Sequence, residues 1–259
     1  MNLAKFGDTA EHLAEIAARQ VPSQTAIQFE MKGDGSPVTE IDRAVERSLR
    51  AEINRLHPDH GIIGEEYGPE NADREWVWIL DPIDGTRQFS AGLPNFGTLI
   101  ALCKDQKPVV GVIAHPWTGM VCTGVQGLGT RINGTPVTSG TAVTPGDVIA
   151  NLSDPDAFDD RTRPGYEAVR AASLWNVYDG GCLGYAALAQ GQIGIALNGP
   201  NLEPFDIAAL IPVIEGAGGV ISDWEGKGLD GTSEGAIVAS ATPALHDAVL
   251  SLLAGSGAS

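Results

Sequence analysis

The sequence contains little positive charge. Its 259 residues include 16 Lys and Arg against 33 Asp and Glu, which gives a formal net charge of −17 at pH 7. Proteins that bind nucleic acids need clustered basic side chains to neutralise phosphates, so we expect no nucleic-acid partner. An anionic substrate is also disfavoured, unless bound cations reverse the charge of its site.

Cysteine, histidine and long apolar runs are scarce as well. The three cysteines are widely spaced without a C-x-x-C pair, so we expect reduced core residues. The five histidines have no zinc-motif spacing. No run reaches the ~18 apolar residues of a membrane-spanning helix, and residues 1–21 are charged and amphipathic, unlike a signal peptide. We therefore expect a cytoplasmic protein without membrane contact.

Helix and strand patterns are mixed along the whole chain. Alternating or β-branched runs predict strands at 61–63, 76–80, 98–103, 109–115, 120–124, 148–151, 193–197, 219–222 and 236–239. Apolar spacing and caps predict helices at 8–20, 39–56, 166–172 and 184–190, after Asp206 and after Thr242. The mixture predicts a layered α/β (α+β) fold. A loop-rich stretch near 140–145 predicts two lobes of one functional unit, at 1–142 and 143–259.

The segment WILDPIDGT places two carboxylates where an apolar strand ends. Asp81 and Asp84 flank Pro82, whose fixed φ turns the chain off the strand. Gly85 and Thr86 can then start a short helix whose first N–H groups point at an anion. Carboxylates beside such groups suit Mg²⁺ shared with a phosphate. Taken alone, the motif fits equally well two acids that only shape a turn.

Further acids lie at the ends of other elements. Glu65 and Glu66 follow an apolar strand in IIGEEYG. Thr39-x-x-Asp42 has the spacing of a capping box, and Asp206 in EPFDIAAL has an N-cap role as its simplest interpretation. Each signal is weak by itself. Together they supply a set of acids with no matching set of bases, which favours a site for cations.

The pair GEE and DPIDGT, with a later Pro-Phe-Asp before a helix of small residues, resembles the Mg²⁺-dependent inositol-monophosphatase superfamily. The resemblance covers nearly the whole chain. Three segments are most similar to its histidinol-phosphate phosphatase branch, namely DPIDGTRQFSAGLPNFGTLIAL, GYAALAQGQI and PFDIAALIPVIEGAGGVISDWEG. The resemblance implies the layered αβαβα sandwich of the inositol-monophosphatase and fructose-1,6-bisphosphatase type, and commonly a homodimer.

The resemblance also implies a metal site with two or three Mg²⁺ ions. Its ligands would be Glu65, Asp81 and the Ile83 carbonyl for the first metal, and Asp81, Asp84 and Asp206 for the second. Two Mg²⁺ would return four positive charges to an acidic pocket and so allow a phosphate to bind. Paired metals can clamp the attacking and leaving oxygens of an in-line displacement.

The same resemblance implies the catalytic residues. Thr86, paired with Asp42, would orient and help to deprotonate the attacking water, and Glu65 would act in catalysis as a metal ligand. The N–H groups of Gly85 and Thr86 would hold the phosphate, together with Asp84 and Asp206. Glu66 is assigned a supporting role, and Lys32 matches a family lysine near the site, although an exposed lysine is the alternative.

The substrate is the least determined feature. Where the histidinol-phosphate branch has two acids near the substrate's organic portion, this chain has Gly181 and Gly199. The ammonium group of histidinol phosphate would need other acceptors, for which the candidates are Asp179, Asn198, Asn201 and Glu203. We rank histidinol phosphate first among small-molecule phosphate monoesters. The alternatives are an inositol, sugar or nucleotide phosphatase, and a non-catalytic regulatory protein on the same fold.

Overall fold

A computed structural model describes residues 2–22, 28–33 and 35–255. The chain begins with helix α1 (Leu3–Ala18), which starts earlier than the predicted residue 8. A short hairpin follows, formed by β1 (Phe29–Met31) and β2 (Pro37–Thr39), where the sequence predicted a loop at 33–37. Helix α2 (Glu40–Leu56) begins after a cap at Thr39, as predicted.

A large, mostly antiparallel sheet occupies the first lobe of the described chain. Its eight strands are β3 (Gly61–Gly64), β4 (Gly68–Glu70), β5 (Trp76–Asp84), β6 (Gly97–Lys104), β7 (Lys107–His115), β8 (Met120–Val125), β9 (Gly129–Ile132) and β10 (Thr135–Val137). They lie in the order β10-β9-β8-β7-β6-β5-β3-β4. Strand β5 pairs in parallel with β3 and antiparallel with β6, so it lies inside the sheet. The short helix α3 (Thr86–Ser90) follows it.

A second, five-stranded sheet follows in the order β12-β11-β13-β15-β14. Its strands are β11 (Ile149–Leu152), β12 (Trp175–Tyr178), β13 (Ile195–Asn198), β14 (Val220–Asp223) and β15 (Ile237–Ser240). The remaining helices are α4 (Arg163–Ala172), α5 (Gly181–Ala189), α6 (Pro204–Ile207), α7 (Leu210–Gly216) and α8 (Pro243–Gly255).

Strand β5 shows why the layers form. Because successive side chains of a strand point to opposite faces, Trp78 and Leu80 pack with α1 and α2, and Val77 and Ile79 pack on the other face with α5 and α7. Both faces are covered, so the strand is almost continuously apolar.

The second sheet completes the layer order. Ile237 and Ala239 of β15 share the central core with α5 and α7, while helices α4 and α8 pack with β11 and β13 to cover the outer face. The predicted αβαβα sandwich is therefore confirmed. The predicted boundary at 142–143 lies between the two sheets, and the division into two lobes of one functional unit stays a prediction.

Two further expectations can be compared with the structure. Cys103, Cys122 and Cys182 are buried and free, as predicted. Among the described helices, none has both the length and the apolar character that crossing a membrane requires.

Candidate active site

Two aspartates of β5 and one from a distant part of the chain come together at the end of this strand. Carboxylate oxygens of Asp81, Asp84 and Asp206 lie within 4.8 Å of one another. The first two follow the apolar part of β5, where the pairing with β6 shifts register between them. The third lies in α6, which packs against β5. The structure thus brings together three of the predicted metal ligands.

Backbone N–H groups fix the direction of each aspartate. Asp81 Oδ1 accepts a hydrogen bond from the N–H of Ile83 at 3.0 Å, and Asp84 Oδ2 accepts one from Cys182 at 2.9 Å. Asp206 Oδ2 accepts the N–H of Glu203 at 2.8 Å. Glu203 is the N-cap residue of α6 and Asp206 lies three residues inside it, so the N-cap interpretation of Asp206 is wrong. Its carboxylate accepts a hydrogen bond from the N-cap residue and still lies close to the carboxylates of Asp81 and Asp84.

Burial makes this cluster unfavourable for anions alone. Burial raises the pKa of Asp81 well above its usual value, and the negative charges of Glu65, Asp84 and Asp206 raise it further. Burial also raises the pKa of Asp206, to about 8. A divalent cation would reverse both effects because it favours the ionised carboxylates. The ligand set consists of oxygens only, which is what Mg²⁺ prefers, so these residues fit the predicted ion.

A lysine from another segment pairs with both glutamates of the GEE segment. Lys32 Nζ lies 2.8 Å from Glu65 Oε1 and 2.6 Å from Glu66 Oε1. These hydrogen bonds outweigh the effect of partial burial and raise the pKa of Lys32. Burial raises the pKa of Glu66 to about 6 despite the lysine. Lys32 is therefore an ion-paired lysine rather than a freely solvated one, and its role in the site stays a prediction.

Thr86 and Asp42 meet as predicted. The Thr86 hydroxyl lies 3.2 Å from Asp42 Oδ1 and 2.9 Å from the carbonyl oxygen of Ile83. Asp42 is fully buried, which raises its pKa, while hydrogen bonds from Thr39 and Thr86 oppose the rise. Asp42 also forms the predicted capping box with Thr39, whose N–H donates to Oδ2 at 2.9 Å. Asp42 can therefore cap helix α2 and contact Thr86 at the same time.

A cavity of about 350 Å³ opens beside these residues. Of the predicted site residues, it is lined by Glu65, Asp84, Gly85, Thr86, Asp179, Asn198, Asn201 and Asp206. Asn198 is held by the hydroxyl of Tyr185, which donates to its Oδ1 at 2.7 Å. Glu203 is exposed and lies outside this lining. Its predicted contact with the substrate is therefore not supported by the geometry.

Part of the cavity wall was not predicted from the sequence. Arg87, Gln88, Ser153 and Asp154 also line it. Ser153 and Asp154 directly follow β11, a strand that pairs in parallel with its neighbours. Since the carboxyl ends of parallel strands commonly border ligand sites, their position was the signal that could have indicated them.

The two glycines that replace expected acids are sterically restricted. A Cβ on Gly181, which has a φ of +51°, would lie 3.1 Å from Asp84 Oδ2. A Cβ on Gly199 would lie 2.6 Å from the carbonyl oxygen of Ala157. Neither position accepts an acidic side chain without a shift of its surroundings. Glycine is therefore the residue that fits the observed backbone at both positions.

Residues 3–257 match the sequence profile of the inositol monophosphatase family. The chain belongs to this family. It is 36% identical, over 87% of its length, to the chloroplastic bifunctional phosphatase IMPL2 of Arabidopsis thaliana, and it spans 66% of that protein. It is 34% identical to a histidinol-phosphatase of Chlorobaculum parvum, with 78% of each chain covered.

The solved structures agree with this assignment. An inositol monophosphatase from Zymomonas mobilis is 31% identical and superposes with a TM-score of 0.89, covering 98% of this chain and 99% of that one. The predicted superfamily and fold are confirmed, and the chain is a phosphatase of the type that hydrolyses phosphate monoesters. Its relatives carry names with different substrates, so membership does not determine the substrate.

Proposed function

We propose that this protein is a Mg²⁺-dependent phosphomonoesterase that acts on a small molecule, with histidinol phosphate as the first-ranked substrate. The observation that carries the proposal is the group of three aspartates, within 4.8 Å of one another, beside an open cavity. In the described site, the cation Lys32 is paired with Glu65 and Glu66 rather than with an aspartate. The three aspartates are therefore available to bind a metal ion.

In this proposal Asp81, Asp84, Asp206 and Glu65 hold two or three Mg²⁺ ions, with the Ile83 carbonyl as a further ligand. When bound, the ions supply positive charge for the phosphate and lower the pKa of the attacking water. The chain's own contribution is to hold the carboxylates in place. The hydrogen bonds from Ile83, Cys182 and Glu203 do this through the backbone, so the ligand set is organised before any ion arrives.

Thr86 and Asp42 are proposed to position the attacking water. The single proton of the Thr86 hydroxyl can be donated to Asp42 or to the Ile83 carbonyl, but not to both at once. When it is donated to Asp42, the hydroxyl oxygen is free to accept a hydrogen bond from water. The buried carboxylate can then accept the proton of the Thr86 hydroxyl while the hydroxyl oxygen takes a proton from the water, which becomes hydroxide.

The turn after β5 is proposed to hold the phosphate. Gly85 has a φ of +86°, and a Cβ there would lie 2.9 Å from the carbonyl oxygen of Asn95. Only glycine fits this conformation and this close approach. The turn presents the N–H groups of Gly85 and Thr86 at the cavity, where they can donate to phosphate oxygens.

The cavity beside the aspartate cluster favours a cationic organic portion of the substrate. Asp154 and Asp179 line it together with Asn198 and Asn201, against one basic residue, Arg87. The ammonium group of histidinol phosphate would find carboxylate acceptors there, whereas inositol, a sugar or a nucleoside presents no such cation. This charge distribution supports histidinol phosphate over those alternatives.

A non-catalytic regulatory role on the same fold is less well supported. A protein that had lost the chemistry would have no reason to keep three aspartates within 4.8 Å of one another beside a cavity that Glu65 also lines, since the mutual repulsion of these acids destabilises the fold. The acidic composition also disfavours contact with RNA.

We also propose a cytoplasmic homodimer. Strand β12 is an edge strand, and Leu174, Trp175, Val177 and Tyr178 on or next to it are 40–56% exposed. An exposed apolar edge of this kind favours association. Sedimentation velocity should show a dimer for the wild-type protein and a monomer for Trp175→Glu. A monomeric wild-type protein would contradict this proposal.

The function is tested by phosphate release from purified protein, with and without Mg²⁺. The substrates are histidinol phosphate, an inositol monophosphate, a sugar phosphate, a nucleotide and 4-nitrophenyl phosphate. We expect Mg²⁺-dependent release that is fastest from histidinol phosphate. Release from none of them would overturn the enzymatic proposal, and faster release from another ester would overturn only the substrate.

A further inference from the structure

We infer that Glu46 and Arg50 of helix α2 form a clamp that positions the Glu65–Glu66 turn for metal binding. The inference rests on the proposed function, because it concerns the same site. It assigns a role to two residues that neither line the cavity nor belong to the aspartate cluster.

Glu46 is a fully buried carboxylate. A buried charge is costly unless it is paired and hydrogen-bonded, and both carboxylate oxygens of Glu46 accept hydrogen bonds from the turn that follows β3. Its Oε2 accepts the N–H of Glu66 at 2.7 Å, and its Oε1 accepts the N–H of Tyr67 at 3.2 Å. Two consecutive N–H groups are therefore held by one side chain.

Gly64 allows this approach. A Cβ at Gly64 would lie 2.1 Å from Oε1 of Glu46 and 2.4 Å from its carboxylate carbon. The carboxylate thus lies directly against the backbone at the end of β3. A larger residue at this position would displace either the strand or the carboxylate.

Arg50 completes the clamp on the carbonyl side. Its Nε donates to Glu46 Oε1 at 2.8 Å, and its guanidinium also donates to the carbonyl oxygen of Gly68 and to Glu70 Oε2, the latter at 3.3 Å. Glu46 therefore holds N–H groups of the turn and Arg50 holds a carbonyl of the same turn. The ion pair is itself almost fully buried, which makes its geometry well defined.

Helix α2 connects this clamp to the water-positioning residues. Asp42, Glu46 and Arg50 are spaced four residues apart and lie on one face of the helix. Asp42 contacts Thr86, and Glu46 holds the backbone next to Glu65. One rigid helix face therefore sets the distance between the water-positioning pair and the GEE carboxylates. With the backbone held from the helix side, Glu65 and Glu66 extend towards Lys32 and the cavity.

The test compares Glu46→Gln with Glu52→Gln. Both changes neutralise a carboxylate of α2 that pairs with an arginine, but Glu52 pairs with Arg55 and His12 away from the site. Mg²⁺ binding is measured calorimetrically on metal-free protein, so the readout does not depend on activity. We expect Glu46→Gln to weaken Mg²⁺ binding by about tenfold or more, as for other residues that orient metal ligands, and Glu52→Gln to change it less than about twofold.

A role in folding alone is distinguished by a double variant. If Glu46 acts through Glu65, adding Glu46→Gln to Glu65→Gln should produce little further loss of Mg²⁺ affinity. A Glu46→Gln protein with a lower melting temperature in EDTA but wild-type Mg²⁺ affinity would overturn the inference, as would full additivity in the double variant.

If Glu46→Gln does not fold, Arg50→Lys tests the same clamp. Lysine keeps the charge next to Glu46 but cannot reach several acceptors at once, so Mg²⁺ affinity should fall at least about threefold. Unchanged affinity in this variant would contradict the clamp. A wild-type protein that binds no Mg²⁺ would instead overturn the proposed function, which keeps the two failures separate.

Discussion

Carboxylate oxygens of Asp81 and Asp206 lie within 4.8 Å of each other, although Asp81 lies in β5 of the large sheet and Asp206 lies in helix α6, between β13 and β14 of the second sheet. Burial raises the pKa of both groups, and the charge of Asp206 raises the pKa of Asp81 further. Closing the two halves of the fold against each other therefore forces like charges together. A bound cation would turn this repulsion into an attraction that links the two halves.

This relationship predicts a pH-dependent response to Mg²⁺. The folded-state pKa of Asp206 is about 8, above the unfolded value of about 3.9. The folded protein thus binds protons more tightly, and this stabilisation is present below about pH 4 and is lost as the pH rises through 8. The melting temperature in EDTA should therefore fall between about pH 5 and pH 9. The gain from Mg²⁺ should grow over the same range, because only ionised carboxylates bind the metal.

Differential scanning fluorimetry at matched ionic strength measures this gain. Mg²⁺ at a hundredfold excess over its Kd should raise the free energy of unfolding by about 2.7 kcal/mol. NaCl at the same ionic strength is the control for general screening. An equal Mg²⁺ gain at about pH 5.5 and pH 8.5 would show that the cluster is not the binding site.

Neutralising a single aspartate should have opposite effects on stability and activity. Asp81→Asn, Asp84→Asn and Asp206→Asn each remove a charge from the cluster at nearly constant volume. In EDTA at about pH 8 we expect melting temperatures at least equal to that of the wild type, because like-charge repulsion is reduced. With Mg²⁺ the stabilisation should shrink, and kcat should fall by at least about 100-fold. Asp160→Asn, at an exposed position, should change neither quantity.

These variants also separate two explanations of the cluster. If the acids only shape the turn after β5, their replacement should lower stability without changing the response to Mg²⁺. Wild-type activity in all three variants would exclude them as metal ligands.

Thr86→Ala and Asp42→Asn should act through the same water. The hydroxyl and the carboxylate are in contact at 3.2 Å, so either change should reduce kcat by about 100-fold with a much smaller effect on KM. The double variant should be hardly slower than the slower single variant. Thr86→Ser keeps the hydroxyl and serves as the control. Multiplication of the two single effects would contradict a shared role.

The sequence predicted the parts of the fold whose pattern is strong. Helix α2 was predicted nearly at its observed bounds, because it has a clear cap and apolar spacing. The apolar run of β5 was predicted at 76–80, and the strand extends beyond it to Asp84. The edge strands β4 and β12 were missed, since Gly68–Glu70 and Trp175–Tyr178 are short and exposed. Such strands form because a neighbour offers free backbone groups, which local sequence does not reveal.

The candidate site shows the same limit. Asp81, Asp84 and Glu65 stand in local motifs and could be named, and resemblance supplied Asp206. Glu46 could not be named, because a glutamate in a helix of mixed charge looks like a solvated residue until the turn at Glu66 packs onto it. Glu203 was named and lies outside the cavity, since proximity in sequence to Asp206 does not determine where its side chain points.

The last prediction concerns the organic portion of the substrate, where Asp179 lines the cavity and Glu203 does not. Asp179 accepts a hydrogen bond from Gln88 and has a φ of +55°, a conformation that asparagine also tolerates, so Asp179→Asn should fold. If its charge meets an ammonium group, KM for histidinol phosphate should rise about tenfold, while hydrolysis of 4-nitrophenyl phosphate stays within about twofold. Asp154→Asn should behave similarly.

Two matched controls make this comparison decisive. Asp156 lies on the same turn as Asp154 but outside the cavity lining, so Asp156→Asn should leave hydrolysis of both substrates unaffected, as should Glu203→Ala. Equal losses for the two substrates would show that Asp179 supports the site without recognising the ammonium group. If the wild-type protein instead hydrolyses inositol or sugar phosphates with a kcat/KM about tenfold above that for histidinol phosphate, the substrate assignment is wrong. Gly181 and Gly199, which admit no acidic side chain without a shift, would then be the physical reason.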